Sequence, residues 1–413
     1  MSDKKRNVPV LRFNGFSDAW EQRKLGELGK VTTGKAFSSI DFDEQGEYLV
    51  ITNKDISTSS RSQNVVTDRI NVSDKNIIEK YNLNGKNILV TMDGVNLGKT
   101  AMYSNENALL AQRVGRIQST QLEFVYQITS SNNFFMTMRT LSVGNAIKHI
   151  SLSQISNYST LVPNNEAEQQ KIGELFKHLD NTIALHQRKL DALKQMKKGF
   201  LQQLFPENGE KVPRVRFADF QEEWEQRKLG DITDSFGYGL NASAKEYDGK
   251  SKYIRITDID ESSHLFNQEN LTSPDTCLDY ANNYLLEEGD ILFARTGAST
   301  GKSYYYTKND GRVYFAGFLI RARIKQKYDV KFIFQNTLTS KYNNFIQITS
   351  QRSGQPGINA LEYSKFALCI PKLSEQNKIG SFFQQLDKTI ALYHYRLDQL
   401  NILKKSCLQN MFI

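Results

Sequence analysis

Three cysteines are all that the 413 residues contain, Cys277, Cys369 and Cys407. They stand far apart, with no C-x-x-C pair and no histidines at metal-ligand spacing, so buried, reduced thiols are expected and no metal site is. No apolar run approaches the roughly 18 to 20 residues that span a bilayer. The opening Met1-Ser2-Asp3-Lys4-Lys5-Arg6 lacks the apolar segment of a secretion signal, so a cytoplasmic protein is expected. Among seven prolines there is no Pro-Pro dipeptide. That absence excludes the usual catalytic loop of a DNA methyltransferase acting on exocyclic amines, which carries two prolines between an Asn or Asp and an aromatic. The five histidines, His149, His178, His186, His264 and His394, are scattered and none stands in a recognisable nucleophile motif. No catalytic residue and no cofactor is expected.

What is present is a globular composition, with 39% apolar and 24% charged residues, and a net charge of +8. The length predicts two or three domains, and the positive balance points to an acidic partner such as nucleic acid. The decisive feature is an internal repeat. Trp20-Glu21-Gln22-Arg23-Lys24-Leu25-Gly26 returns unchanged as Trp224-Glu225-Gln226-Arg227-Lys228-Leu229-Gly230, and these are the only two tryptophans. Upstream, Val8-Pro9 and Arg12-Phe13 recur as Val212-Pro213 and Arg216-Phe217. Downstream, Tyr48 to Asn53 answers to Tyr253 to Asp258, and Asn87 to Thr100 answers to Asp290 to Ser303. By contrast, the stretches from about Ile56 to Asn84 and from Ile259 to Leu286 share little.

Each copy ends in a helical pattern. Ile172, Phe176, Leu179, Ile183, Leu190 and Leu193 recur at three and four spacing, interrupted by His186. Asn165 and Glu168 read as a capping box after Pro163, and Pro206 supplies the stop. The helix therefore runs from about Glu166 to Leu204, roughly 58 Å at the rise per residue of an α-helix. Ile379, Phe383, Leu386, Ile390, Leu397 and Leu400 repeat the stripe from about Ser374 to the end, with Tyr393 where His186 stood. Stripes this long outrun their own lobes, so the two helices are expected to pair as an antiparallel coiled coil, the lobe between them carrying the chain back. With no tail after Ile413, the last turns of the second helix are expected to fray. The lobes read as mixed helix and strand, with strand-like runs at Ile88 to Thr91, Ile291 to Ala294 and Tyr304 to Tyr306. The fold class is thus α+β: two similar mixed lobes and two long helices, with an internal pseudo-two-fold repeat.

Gly94-x-x-x-Gly98-Lys99-Thr100 and Gly297-x-x-x-Gly301-Lys302-Ser303 look like phosphate loops, but have one residue too few between the glycines and lead into strands. They read either as hairpins presenting Lys99 and Lys302 to a DNA backbone or as purely structural turns. Phe236-Gly237-Tyr238-Gly239 is a turn whose spacing does not fit a methyl-donor site. Base edges are read by Arg, Lys, Asn and Gln. The first lobe offers residues 142–149, with Asn145, Lys148 and His149, and the charges Lys54, Arg61, Arg69 and Arg113. The second offers residues 351–357, with Arg352 and Gln355, and the charges Lys252, Arg255, Arg295, Arg312, Arg321 and Arg323.

This layout resembles the specificity subunit of type I restriction-modification enzymes along essentially the whole chain. The repeated Trp-Glu-Gln-Arg-Lys-Leu-Gly, the run Gly289 to Leu292, Pro163 and Pro371 before the helices, and Glu168-Gln169 with Glu375-Gln376 carry the likeness. The resemblance implies target-recognition domains at 1–163 and 207–371 and spacer helices at 164–206 and 372–413. It implies a non-catalytic subunit that reads a split, asymmetric double-stranded DNA site, its helices acting as a ruler. The implied partners are two modification subunits, which methylate adenine, and restriction subunits, which use ATP and cut. Rival readings are an unrecognised nuclease or NTPase, or a self-sufficient DNA-binding protein that dimerises through its helices.

Overall fold

The computed structural model describes residues 7–56, 67–144, 148–207 and 209–412. The chain divides into two compact units, Met1–Gln187 with Arg396–Ile413, and Arg188–Tyr395. Two long helices, α1 (Glu166–Gln203) and α2 (Leu373–Met411), contribute to both.

The lobe of the first unit is a six-stranded sheet. Its order is Lys30–Thr33, Val114–Gln118, Asn82–Thr91, Thr100–Leu110, Tyr48–Ile51, Arg69–Ile70. The second lobe repeats the first four positions with Thr233–Tyr238, Leu319–Ile324, Asp290–Ala294 and Ser303–Tyr305. The parallel pairing of Tyr48–Ile51 with Thr100–Leu110 is matched by Lys252–Ile254 with Val313–Phe315. The duplicated Trp-Glu-Gln-Arg-Lys forms a short strand in each copy, Glu21–Lys24 against Ser159–Val162 and Glu225–Lys228 against Ala367–Ile370. Both tryptophans are buried. The sequence repeat is therefore a structural repeat: the Trp and Leu of each heptad lie in a core, while the Glu-Gln-Arg-Lys strand between them is largely exposed.

Each helix is fastened to a lobe at both of its ends. At the start of α1, Asn165 accepts from the Ala167 amide (2.9 Å), but the Glu168 carboxylate is taken by Arg12 in two bonds of 2.7 Å. The expected capping box is thus replaced by a bidentate ion pair. Arg216 and Glu375 repeat it at the start of α2, with bonds of 2.7 and 2.8 Å. Both glutamates are only 1% exposed, and each raises the pKa of its arginine through that hydrogen bond. An ion pair this deep fixes geometry more than it adds net stability, since its two desolvation costs offset the attraction.

The far ends dock as well. In the second unit Phe205, just past α1, stacks on Phe332 (5.5 Å) and meets Trp224 and Phe383 at 6.3 and 6.0 Å. In the first unit Phe412, just past α2, stacks on Phe124 (5.8 Å) and meets Trp20 and Phe176 at 6.1 and 6.0 Å. The Leu11 amide donates to Asn410 O (2.8 Å), as Val215 does to Gln203 O (3.0 Å). The final turns of α2 are accordingly packed, not frayed: the burial of Met411 and the ring of Phe412 hold them.

Within each unit the two helices run antiparallel. Asp180 pairs with Lys404 (2.6 Å) in the first unit, and Lys197 with Asp387 (2.7 Å) in the second. Of the stripe residues, Ile172, Phe176, Leu190, Ile379, Phe383, Leu386 and Leu397 are buried, and Leu179, Ile183, Leu193, Ile390 and Leu400 half-buried. Ile172 and Phe176 belong to the same core as Trp20 and Phe124, and Ile379 and Phe383 to that of Trp224 and Phe332. The first turns of each stripe thus serve the lobe beside them as well as the other helix. Cys369 is buried and Cys407 half-buried, whereas Cys277, expected inside, lies on an exposed loop. Among the described residues no helix is long and apolar enough to cross a membrane.

Candidate nucleic-acid interface

Each glycine motif forms the turn of an antiparallel hairpin, pairing Val90 with Thr100 and Phe293 with Ser303. Gly98 and Gly301 sit at φ +83° and +92°, a region L side chains rarely adopt. A Cβ on Gly301 would also stand 2.7 Å from Ile346. The glycines therefore answer to the turn, and the element after each lysine is a strand.

Backbone hydrogen bonds stitch that turn to two other segments, at the same addresses in both lobes. In the first lobe Met92 N donates to Arg113 O (3.1 Å), Ile150 N to Met92 O (2.9 Å) and Gly94 N to Lys148 O (3.3 Å). In the second, Arg295 N donates to Phe318 O (3.1 Å), Ile358 N to Arg295 O (2.9 Å) and Gly297 N to Pro356 O (3.0 Å). Helices Asn132–Leu141 and Ser340–Thr349 lead into the stitched loops, and capping boxes at Ser151–Gln154 and Asn359–Glu362 lead out of them. The hairpin turn, the loop segments 142–144 and 148–149 or the loop 350–357, and the turn before Val114 or Leu319 thus form one surface per lobe.

The side chains on this common frame differ. The lysine after the turn is kept, as Lys99 and Lys302. Elsewhere Met92 corresponds in the repeat to Arg295, Asp93 to Thr296, Arg113 to Phe318, Lys148 to Pro356 and His149 to Gly357. In the first lobe Asp93 gathers the polar groups. Its carboxylate accepts from the Asn53 amide and from Arg113 (3.0 Å), and its backbone bridges to His149. Lys54 and Arg113 thus line one recess beside Asp93, Lys148 and His149 adjoin it through the backbone, and Lys54 is paired with Asp68 at 2.7 Å. Arg61 and Asn145 lie outside the described residues. Arg139, not singled out from the sequence, lines a cavity of about 310 Å³ with Lys148, Ser142 and Gly94.

Several cations of the second lobe are spent on their own fold. Arg321 is 11% exposed, donates to the carbonyls of Asn283 (2.9 Å) and Leu285, and lies over the Phe315 ring; burial lowers its pKa. It is withdrawn from the candidate surface. Arg323 chelates the fully buried Asp290 at 2.8 and 2.9 Å. Arg255 chelates Asp258 of its own turn at 2.8 Å, and Lys302 donates to Ile259 O (3.2 Å). Arg352 gives both its bonds of 2.6 Å to Glu362 and further bonds to Thr349 O and Gln351 O, so it braces the loop. Arg295 stays at the stitched surface with its guanidinium 5.0 Å over the Tyr238 ring, and the exposed Gln355 lies against Gly297. Aligning Ala111-Gln112-Arg113 with Ala316-Gly317-Phe318 was the signal that could have found Phe318.

Comparison with known proteins follows the same duplication. The family described as "Type I restriction modification DNA specificity domain" matches residues 17–195 and again 221–401. The type I restriction enzyme MjaVIII specificity subunit of Methanocaldococcus jannaschii is 21% identical over 97% of this chain and 94% of its own. The putative MjaX specificity subunit of the same organism is 25% identical over 49% of this chain and 48% of its own. The crystal structure of a type I restriction-modification S subunit from M. genitalium shares the fold at a TM-score of 0.69, with 16% identity over 98% of this chain and 99% of that one. The two matched segments take in most of both lobes and most of both long helices, and the chain belongs to the family of type I restriction-modification DNA specificity proteins.

Proposed function

We propose that this chain is the DNA-reading subunit of a type I restriction-modification complex. Each lobe reads one half of a split, asymmetric site in double-stranded DNA, and the subunit directs adenine methylation and cleavage that partner subunits perform. The observation carrying this reading is one backbone frame built twice, stitched by the same three hydrogen bonds, with different side chains on each copy. A frame of that kind suits two readers of different sequence. Lys99 suits a contact that carries no sequence information, such as phosphate, which positions a protein without specifying sequence, whereas its counterpart Lys302 gives its ammonium to Ile259 O and braces its own lobe. The residues that differ, with His149, Lys148 and Arg113 in one lobe and Arg295 and Gln355 in the other, suit base edges. Arg352 and Arg255 act through the loops they brace. The chain itself supplies no catalytic group.

The test is to co-express the chain with its candidate modification subunit, purify through a tag on the chain, and map adenine methylation across a genome. The expected result is co-purification and a split methylated motif that needs both proteins. Absence of both would favour a self-sufficient DNA-binding protein that dimerises through its helices.

A further inference from the structure

The sharpest chemical difference between the two stitched surfaces lies at Arg113 and Phe318. Both residues precede the second strand of their sheet, and both present their carbonyl to the residue that opens the hairpin turn, at 3.1 Å. The hydrogen-bond address is therefore the same, although of the two only Arg113 has a positive φ. In the first lobe it holds a cation at φ +65°, paired with Asp93. In the second it holds a phenylalanine that is 63% exposed. Of the other large aromatics nearby, Phe293, Tyr304, Tyr314 and Phe315 are buried, and the exposed Tyr238 is covered on one face by the Arg295 guanidinium. Burying such a ring is ordinarily favourable, and here the lobe leaves it in solvent, beside the Arg295–Tyr238 stack and across the same turn from Gln355.

An apolar ring among cationic and amide groups matches one feature of a DNA groove in particular. In the major groove the C5-methyl of thymine is the apolar landmark, and it is read by contacts of this kind. We infer that Phe318 is a specificity-determining residue of the second lobe, packing on a thymine methyl in the half-site that this lobe reads. The inference rests on the DNA-reading function proposed above. The first lobe, with Arg113 held by Asp93 at the equivalent address, offers a polar contact there. The two half-sites then differ in chemistry at matching positions.

The test uses the complex with its modification subunit and duplexes in which each thymine of the methylated motif is replaced, one at a time, by deoxyuridine, which lacks only the methyl group. With the unaltered chain, one replacement in one half-site should slow methylation about three- to tenfold, the scale set by burial of one methyl group. In Phe318→Ala the thymine and deoxyuridine duplexes should be methylated at the same, reduced rate, and Phe318→Leu should keep part of the difference. Since Phe318 is exposed, both variants should melt as the parent does. An unchanged thymine-to-deoxyuridine ratio in Phe318→Ala overturns the inference. So does a motif without thymine in that half, or a Phe318→Ala loss that no single deoxyuridine reproduces, which would mark a wedge between base steps instead. If the unaltered complex methylates no split motif at all, the DNA-reading function fails first, and the two failures are told apart.

Discussion

Truncating Phe205 should unfasten the second unit. The ring is almost fully buried, stacked on Phe332 at 5.5 Å, with Trp224 and Phe383 against its other sides. Phe205→Ala removes it from a site whose walls are large aromatics anchored on a sheet and on α2. Those walls cannot collapse to fill the space, so a loss of about 4 kcal/mol is expected, within the range for buried Phe→Ala changes. At roughly 2 to 4 °C per kcal/mol for a body of this size, the midpoint of that unit's melting should fall by about 8 to 16 °C. Circular dichroism of the full chain against temperature, repeated in urea, measures it. Phe205→Leu, which keeps most of the apolar volume, should recover part of the loss. Phe412→Ala should act in the same way on the first unit but more weakly, by about 2 to 3 kcal/mol, because its ring is only half-buried. A Phe205→Ala midpoint within 2 °C of the parent would refute the claim that the end of α1 completes this core.

Further outcomes follow from the same geometry. Arg216→Ala strands the Glu375 carboxylate, 1% exposed, and should cost about 3 to 5 kcal/mol in a urea midpoint; Arg216→Lys should restore little of it, since an ammonium cannot reproduce the bidentate pair. His264 donates from Nδ1 to Ser303 O at 3.0 Å and burial lowers its pKa, so the fold holds it neutral. Its contribution is full above the unfolded value of about 6.5 and is lost as pH falls below it. His264→Asn, which tolerates φ +57° at that position, should flatten the stability profile between pH 7.5 and 5.5. Because Arg352 braces its loop through Glu362, Glu362→Gln and Arg352→Ala should slow methylation of the same half-site. A direct base contact by Arg352 would leave Glu362→Gln silent.

Much of this architecture can be read before any coordinates. The two helices are legible because a 3.5-residue apolar period leaves only one element that can bury it, and the duplication because core and anchor residues repeat. What the sequence conceals is pairing across distance. Nothing in Asn165-x-x-Glu168 says that the carboxylate turns to Arg12, more than a hundred residues away, and not to its own helix end. Arg321 and Arg323 look like surface charge, yet alternation along a strand turns both toward Asp290 on the neighbouring one. The stitched surfaces escaped for a different reason: their contacts are backbone to backbone, and such contacts leave no side-chain signature. Nor does a phenylalanine past the last helical turn show, in sequence, that its ring packs on Phe124 and Trp20.

Whether each lobe reads its own half-site through its stitched loops is decided by altering one lobe at a time. The complex carrying Lys148→Ala and His149→Ala, and separately the complex carrying Gln355→Ala, would be mapped for methylated motifs beside the parent. The first pair should relax or weaken recognition in one half of the motif, and Gln355→Ala should do so in the other half alone. Unchanged motifs in both, or equal loss in both halves from either change, would contradict the assignment of one half-site to each lobe.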